Sequence, residues 1–365
     1  ARYGPLPAPA GLTTTKKGTA LGKVTGIAAQ QDRLGRPLHD LRISVMDRCN
    51  FRCPYCMPKD QYHDKFPFLH PDERLSFEEI QRLTKLFVDL GVRKLRITGG
   101  EPLLRPQLGE LIGELSMLQQ VEDIALTTNG ILLGQQAAAL KAAGLHRVTV
   151  SLDAIDDETF QLLSGGRGGL ERVLKGIDEA LEAGLTPLKI NVVVQRGVNE
   201  HSVFPLLEHF RGTGVIVRFI EYMDVGTINH WQPEETVSSR ELRDLIAERW
   251  PLTAADQNYH GEVASRYVYD DGAGEVGFIS SVTEPFCRDC TRARLSSDGK
   301  LFTCLFASRG LDLRTPLRAG ASDDELLSLI CETWRNRGDR YSELRAELRH
   351  EGREYKRIEM YYIGG

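Results

Sequence analysis

Three cysteines, Cys49, Cys53 and Cys56, fall within the ten residues "CNFRCPYCMP". A C-x3-C-x2-C run offers three soft donors to one group of atoms. Three thiolates can ligate three irons of a four-iron cluster and leave the fourth iron open to chemistry. The alternatives are a zinc site completed by a distant histidine such as His63 or His70, or simply buried thiols, although zinc favours paired C-x2-C knuckles. A second set, Cys287, Cys290 and Cys304, lies in "CRDCTRARLSSDGKLFTC". There the Asp298-Gly299 dipeptide predicts a two-residue hairpin turn that pairs Ser297 with Lys300, sets Ala293 opposite Cys304 and returns that thiol to the neighbourhood of Cys290. This triad also leaves one coordination position unfilled, which the zinc alternative would complete with His260 or another side chain.

The seventh cysteine, Cys331, sits on the apolar face of a predicted helix, "DELLSLICETW", and reads as ordinary core. Six cysteines in two groups of three argue for reduced thiolates that bind something, not for a secreted disulfide framework. The chain has 365 residues, 41% of them apolar, enough to bury a substantial core. Its formal net charge of −5 gives no reason to expect a nucleic-acid or membrane-surface partner. Any anion site must be local, and Lys16-Lys17 reads as solvated. No apolar run reaches the ~18 residues of a membrane span, and no apolar leader opens the chain, so a soluble cytoplasmic protein is expected.

Six β-branched or apolar runs alternate with helical segments and end beside the residues of interest. They are "LRISV" at 41, "KLRITGG" at 94, "IALTTNG" at 124, "RVTVSLD" at 147, "LKINVVV" at 188 and "IVRFIEYM" at 216. Between them, Ile80, Leu83, Phe87 and Leu90 recur at the helical period behind a Ser76 cap, and Val173, Ile177 and Leu181 do so before Gly184. Repeated strand-helix units predict an α/β fold with a parallel sheet, either an incomplete TIM-like (β/α)6 barrel or a doubly wound open sheet. Either topology gathers chemistry at the carboxyl ends of the strands, where the first cysteine loop, "TGGEP", "TTNG", "SLDA" and "EYMD" all fall. Residues 1–30, rich in Gly, Ala, Pro and Thr, read as a disordered extension, 31–235 as the barrel, and 236–365 as a smaller mixed region carrying the second cysteine set.

The stretch C-N-F-R-C-P-Y-C resembles the cluster loop of the radical S-adenosylmethionine (SAM) enzymes, with Tyr55 in its aromatic position, and "TGGEP" at 98–102 resembles their glycine-rich strand end. Adding "LGRPLHDLRISV", "RITGGEPLLR", "VRFIEYMDVG", "GEVASRY", "FCRDCTRARLSSDGK" and the terminal "YYIGG", the chain from about Leu34 to Gly365 resembles the GTP 3′,8-cyclase family of molybdenum cofactor biosynthesis. It departs from that pattern in the long amino-terminal extension, in Met46 and in the "SGGRGGL" loop.

The resemblance implies a partial α/β barrel with two 4Fe-4S clusters, one on Cys49, Cys53 and Cys56 and one on Cys287, Cys290 and Cys304. It implies that a SAM-derived 5′-deoxyadenosyl radical takes the ribose 3′ hydrogen of GTP and that C3′ then bonds to guanine C8. Tyr55, Gly100, Ser151 and Met223 match SAM contacts. Arg42, Arg96, Thr127, Lys189, Arg292, Ala293 and Arg294 match GTP contacts, with Arg218 a plausible addition. Arg42, Arg96, Thr127 and Lys189 lie in predicted parallel strands, where an inward-facing charge needs either a bound anion or a buried carboxylate partner. Gly364 and Gly365 match a tail that enters the active site. A one-electron donor such as flavodoxin or ferredoxin, a downstream cyclic pyranopterin monophosphate synthase and a homodimer are the implied partners.

Overall fold

A computed structural model describes residues 30–350 and 357–364, without the side chains of 349 and 350. The expectation for residues 1–30 therefore lies almost wholly outside the described residues, as does Gly365. All six anticipated strands are present: β1 (Asp40–Ser44), β2 (Lys94–Thr98), β3 (Asp123–Thr128), β4 (Arg147–Ser151), β5 (Lys189–Val194) and β6 (Ile216–Glu221). They pair in sequence order and in parallel. Alternation explains their burial. Leu41, Ile43, Leu95, Ile97, Ile190 and Val192 are at most 1% exposed and face the helices, so Arg42, Arg96 and Asn191 between them face the other way.

The later strands are β7 (Leu252–Ala255), β8 (Ser265–Tyr269), β9 (Glu275–Ile279), β10 (Arg292–Leu295), β11 (Lys300–Phe302) and β12 (Leu311–Asp312). One sheet holds all twelve, in the order β12-β11-β10-β1-β2-β3-β4-β5-β6-β9-β8-β7. β10 joins β1 in parallel and β9 joins β6 in parallel, so the mixed carboxyl-terminal region continues the barrel sheet on both sides. Helices from Phe77–Asp89 to Val203–Phe210 cover the outer face. Ser76 caps the first through a reciprocal pair of hydrogen bonds with Glu79, as its sequence predicts.

The hairpin between β10 and β11 differs from expectation by one residue. Arg294 pairs with Phe302 and Leu295 with Leu301, so Ser296, not Ser297, meets Lys300. The loop is therefore three residues, closed by Gly299 at φ +83°. The Ser296 hydroxyl stabilises it, accepting from the Lys300 N–H at 2.9 Å and donating to Asp298. Continued by the same register, Cys304 comes opposite Arg292 and not Ala293.

Candidate active site

Cys49, Cys53 and Cys56 follow the carboxyl end of β1, whereas Cys287 and Cys290 precede the amino end of β10, which runs parallel to β1. Cys304 returns along the antiparallel β11 to that same end. The triads thus stand at opposite ends of the barrel strands. Between them lies a cavity of ≈ 210 Å³ that reaches all three thiols of the second triad.

Strand register sorts the charges that line this cavity. One row across β10, β1, β2 and β3 reads Arg292, Asp40, Lys94, Asp123 and alternates in sign. The neighbouring row on the same face reads Arg294, Arg42, Arg96. Three guanidiniums side by side repel one another in a site shielded from water. Burial, then Arg294, Arg292 and Arg96, hold Arg42 well below its usual range; burial and Arg147 pull Arg96 down to about 10, and burial with Arg292 and Arg337 does the same to Arg294. Arg218 falls to about 9 by burial and its neighbours Arg96 and Arg147. Among the described residues, no carboxylate lies within ion-pair distance of Arg42, Arg96, Arg218, Arg292 or Arg294, whereas Arg147 is held by Asp123. The Nε atoms of Arg292 and Arg294 are buried without a hydrogen-bond partner. Arg96 is aimed by Thr127, whose hydroxyl accepts from Nη1 at 3.0 Å.

Lys189 does not line the cavity, but it lies close enough to feel the same charges. Burial first, then Arg218 and Arg147, bring its ammonium down to about 7. Ala293 turns its methyl into the core, 0% exposed, so the side chain does not face the cavity.

Both triads suit an iron-sulfur group. Burial pushes Cys49 and Cys304 up to about 12 and Cys53 and Cys56 up as well, a cost that a cationic iron centre removes. Donors already point at sulfur: Phe51 N–H and Asn129 Nδ2 at Cys49, and Phe306 N–H at Cys304. Burial raises Cys290 too, yet Arg292 and Arg337 outweigh it and bring this thiol to about 6. Arg292 Nη2 lies 3.4 Å from its Sγ. The histidines that would complete a zinc site have other neighbours: His63 accepts from Lys65 N–H, His70 pairs with Asp72, and His260 lies 3.8 Å from Asp289.

At the first triad, Gly99 and Gly100 allow main chain to pack on main chain. A Cβ on either would lie 2.3 Å from a carbonyl oxygen, of Met46 or of Arg48, at the start of the cysteine loop. Gly100 N–H donates to Met46 at 2.7 Å. Tyr55 and Met223 line a smaller cavity that shares Val193, Ile220, Met223 and Met360 with the large one. Ser151 ends β4 near this end of the sheet. Gly364, at φ +73°, seats against Thr98, where a Cβ would lie 2.1 Å from Cγ2.

Three buried carboxylates escape a motif reading. Asp153 accepts from Tyr55 OH at 2.6 Å and from Val193 N–H, and burial lifts it to about 6. Glu101 accepts from Leu103 N–H, Thr128 OH and Asn129 N–H, and burial lifts it to about 7. Asp224 gathers Tyr341, Arg345 and Arg357. They lie inside "SLDA", "TGGEP" and "EYMD", two residues from Ser151 and one each from Gly100 and Met223; only that proximity marks them in the sequence.

Residues 43–210 match the model of the radical SAM superfamily, and 215–343 match that described as Molybdenum Cofactor Synthesis C. A GTP 3′,8-cyclase of Xanthomonas campestris pv. campestris is 55% identical over 338 residues, covering 93% of this chain and 98% of the relative. One from Staphylococcus haemolyticus is 46% identical, covering 93% and 100%. Among solved structures, Streptococcus suis SuiB bound to S-adenosylmethionine superposes with a TM-score of 0.57 at 16% identity, covering 81% of this chain and 68% of that one, which shows a shared fold. Identity of this extent over nearly the full length of both chains shows the family: the chain belongs to the GTP 3′,8-cyclase family of radical SAM enzymes.

Proposed function

We propose that this chain cyclises GTP between ribose C3′ and guanine C8, the first step of molybdenum cofactor biosynthesis, in the cavity between its two thiol triads. The observation that carries the reading is the Arg294–Arg42–Arg96 row, which has no carboxylate partner among the described residues. A triphosphate supplies the several negative charges such a row lacks. Asp40, Lys94 and Asp123 cannot serve as well, because their row alternates in sign.

Cys49, Cys53 and Cys56 would hold one 4Fe-4S cluster and Cys287, Cys290 and Cys304 the other. When bound, the first cluster and SAM supply the one-electron chemistry that yields a 5′-deoxyadenosyl radical, which a ribose C–H bond requires because no side-chain acid or base can break it. The chain's own residues bind and orient. Arg42, Arg96, Arg218 and Arg294 neutralise the triphosphate, and Lys189 adds charge behind them. Phe286 and Phe306, beside the second triad, give a flat purine apolar faces on which to rest. Tyr55, Met223, Ser151 and the main chain at Gly100 form the SAM subsite, and the tail with Met360 keeps water from the reacting carbon. A one-electron protein donor such as flavodoxin or ferredoxin, transfer of product to a cyclic pyranopterin monophosphate synthase, a homodimer and a reducing cytoplasmic setting complete the reading.

Anaerobic incubation of the iron-loaded chain with GTP, SAM and a reductant tests it. Mass spectrometry should find an isomer of GTP with 5′-deoxyadenosine; SAM cleavage that leaves GTP unaltered would reject the substrate.

A further inference from the structure

The described tail, Arg357 to Gly364, runs from the second triad's loop to the first's. Ile358 N–H donates to Ala307 C=O at 3.1 Å, three residues past Cys304. At the far end Tyr361 packs edge-on against Tyr62, six residues past Cys56, with ring centroids 5.0 Å apart, and Gly364 meets Thr98. Between these ends, the loop after β6 holds the segment at two points. Arg357 donates to the Asp224 main-chain oxygen and, at 3.0 Å, to its carboxylate. Glu359 Oε1 accepts from Thr227 N–H at 2.9 Å and from Thr227 Oγ1 at 2.7 Å. Gly226 makes room for that carboxylate, since a Cβ there would lie 2.0 Å from Oε2.

We propose that Asp224 and the Gly226-Thr227 turn are positioning residues that register the carboxyl-terminal strap, so that Met360 and Gly364 close on the cavity and the two thiol ends are held in one arrangement. The residue order supports the coupling: Asp224 directly follows Met223, which lines both cavities, so the loop that borders the smaller cavity also grips the strap. Asp224 is 7% exposed and is shared by Arg357, Arg345 at 2.8 Å and Tyr341 at 2.6 Å. Arg345 and Arg357 lie over Phe306, two residues past Cys304. One carboxylate therefore ties the strap to the ends of both sites. Charge-assisted hydrogen bonds of this kind fix direction as well as contact. The inference rests on the cavity being the reaction site.

The test uses full-length, iron-loaded Glu359→Gln, Thr227→Val and Asp224→Asn proteins, the first two sparing the buried Asp224 charge in case its loss prevents folding. Hydrogen–deuterium exchange of residues 357–365 is read beside kcat and KM. Faster exchange confined to that peptide is expected, with kcat for GTP down at least about tenfold, the scale of one lost hydrogen bond to a charged group. KM for GTP and SAM and the iron content should hold, and Glu359→Asp should recover part of kcat. Unchanged exchange in all three variants, or faster exchange with undiminished kcat, would overturn the proposal. A wild-type chain that fails to convert GTP would sink the cyclase reading alone, because exchange still reports whether these residues hold the strap.

Discussion

Arg96 shows how a single residue is specified. Its hydroxyl partner Thr127 aims it, burial and Arg147 disfavour its charge, and no carboxylate lies within ion-pair distance of it among the described residues. Arg96→Ala should fold normally and weaken GTP binding by about 1.5–3 kcal/mol, the scale of a lost charge-assisted hydrogen bond. Calorimetry showing unchanged GTP affinity would remove Arg96 from the site. Lys189 gives a pH signature. Its ammonium titrates at about 7 in the free protein because burial and Arg218 disfavour its charge, and a triphosphate nearby would raise that value. Below the free value Lys189 is already charged. As pH rises past it, binding must take up a proton, so GTP affinity should fall between about pH 7 and pH 8.5. Lys189→Met should lose that slope, while an identical slope in both proteins would place the titration elsewhere. The two cysteine triads and the Gly99-Gly100 pair were legible in the sequence because cysteine spacing and glycine pairs are local patterns, whereas the arginines came only with the family resemblance. Asp153, Glu101 and Asp224 were not, since a carboxylate in a strand-end loop looks solvated until its buried partners are known.

At the scale of elements, the six strands and their helices were readable because each strand is a short β-branched run ended by glycine or a polar loop, and each helix repeats its apolar face. The parallel pairings of β9 with β6 and of β10 with β1 were not. Arg292–Leu295 is four residues long, and its partner β1 lies some 250 positions away, beyond any local signal. The hairpin turn was placed one residue out because the Asp-Gly dipeptide alone does not reveal that Ser296 would hold Lys300. The tail is an element whose last residues carry a specific expectation. Gly364 fits against Thr98 only without a side chain. Removing Gly364 and Gly365 should leave folding, both clusters and GTP binding nearly intact while greatly reducing conversion of GTP. Full activity at equal cluster loading, read by product mass spectrometry, would return the tail to an ordinary frayed end.

Across the whole molecule, the sheet sets two thiol triads at opposite ends of its barrel strands, the second of them lining the charged cavity, and that arrangement assigns them different tasks. Cys53→Ser should abolish reductive cleavage of SAM, because the thiol lies at the first triad. Cys304→Ser should keep some cleavage and lose cyclised GTP; normal cyclisation by that variant would disconnect the second triad from the substrate. The composition required any anion site to be local, yet the alternating and all-positive rows emerge only when distant strands are set in register. In the proposed reaction a hydrogen leaves ribose C3′ inside this cavity. GTP deuterated at C3′ and incubated anaerobically with the iron-loaded chain, SAM and a reductant should give 5′-deoxyadenosine carrying one deuterium and a matching amount of a GTP isomer. Unlabelled 5′-deoxyadenosine, formed at the same rate with or without GTP, would contradict it.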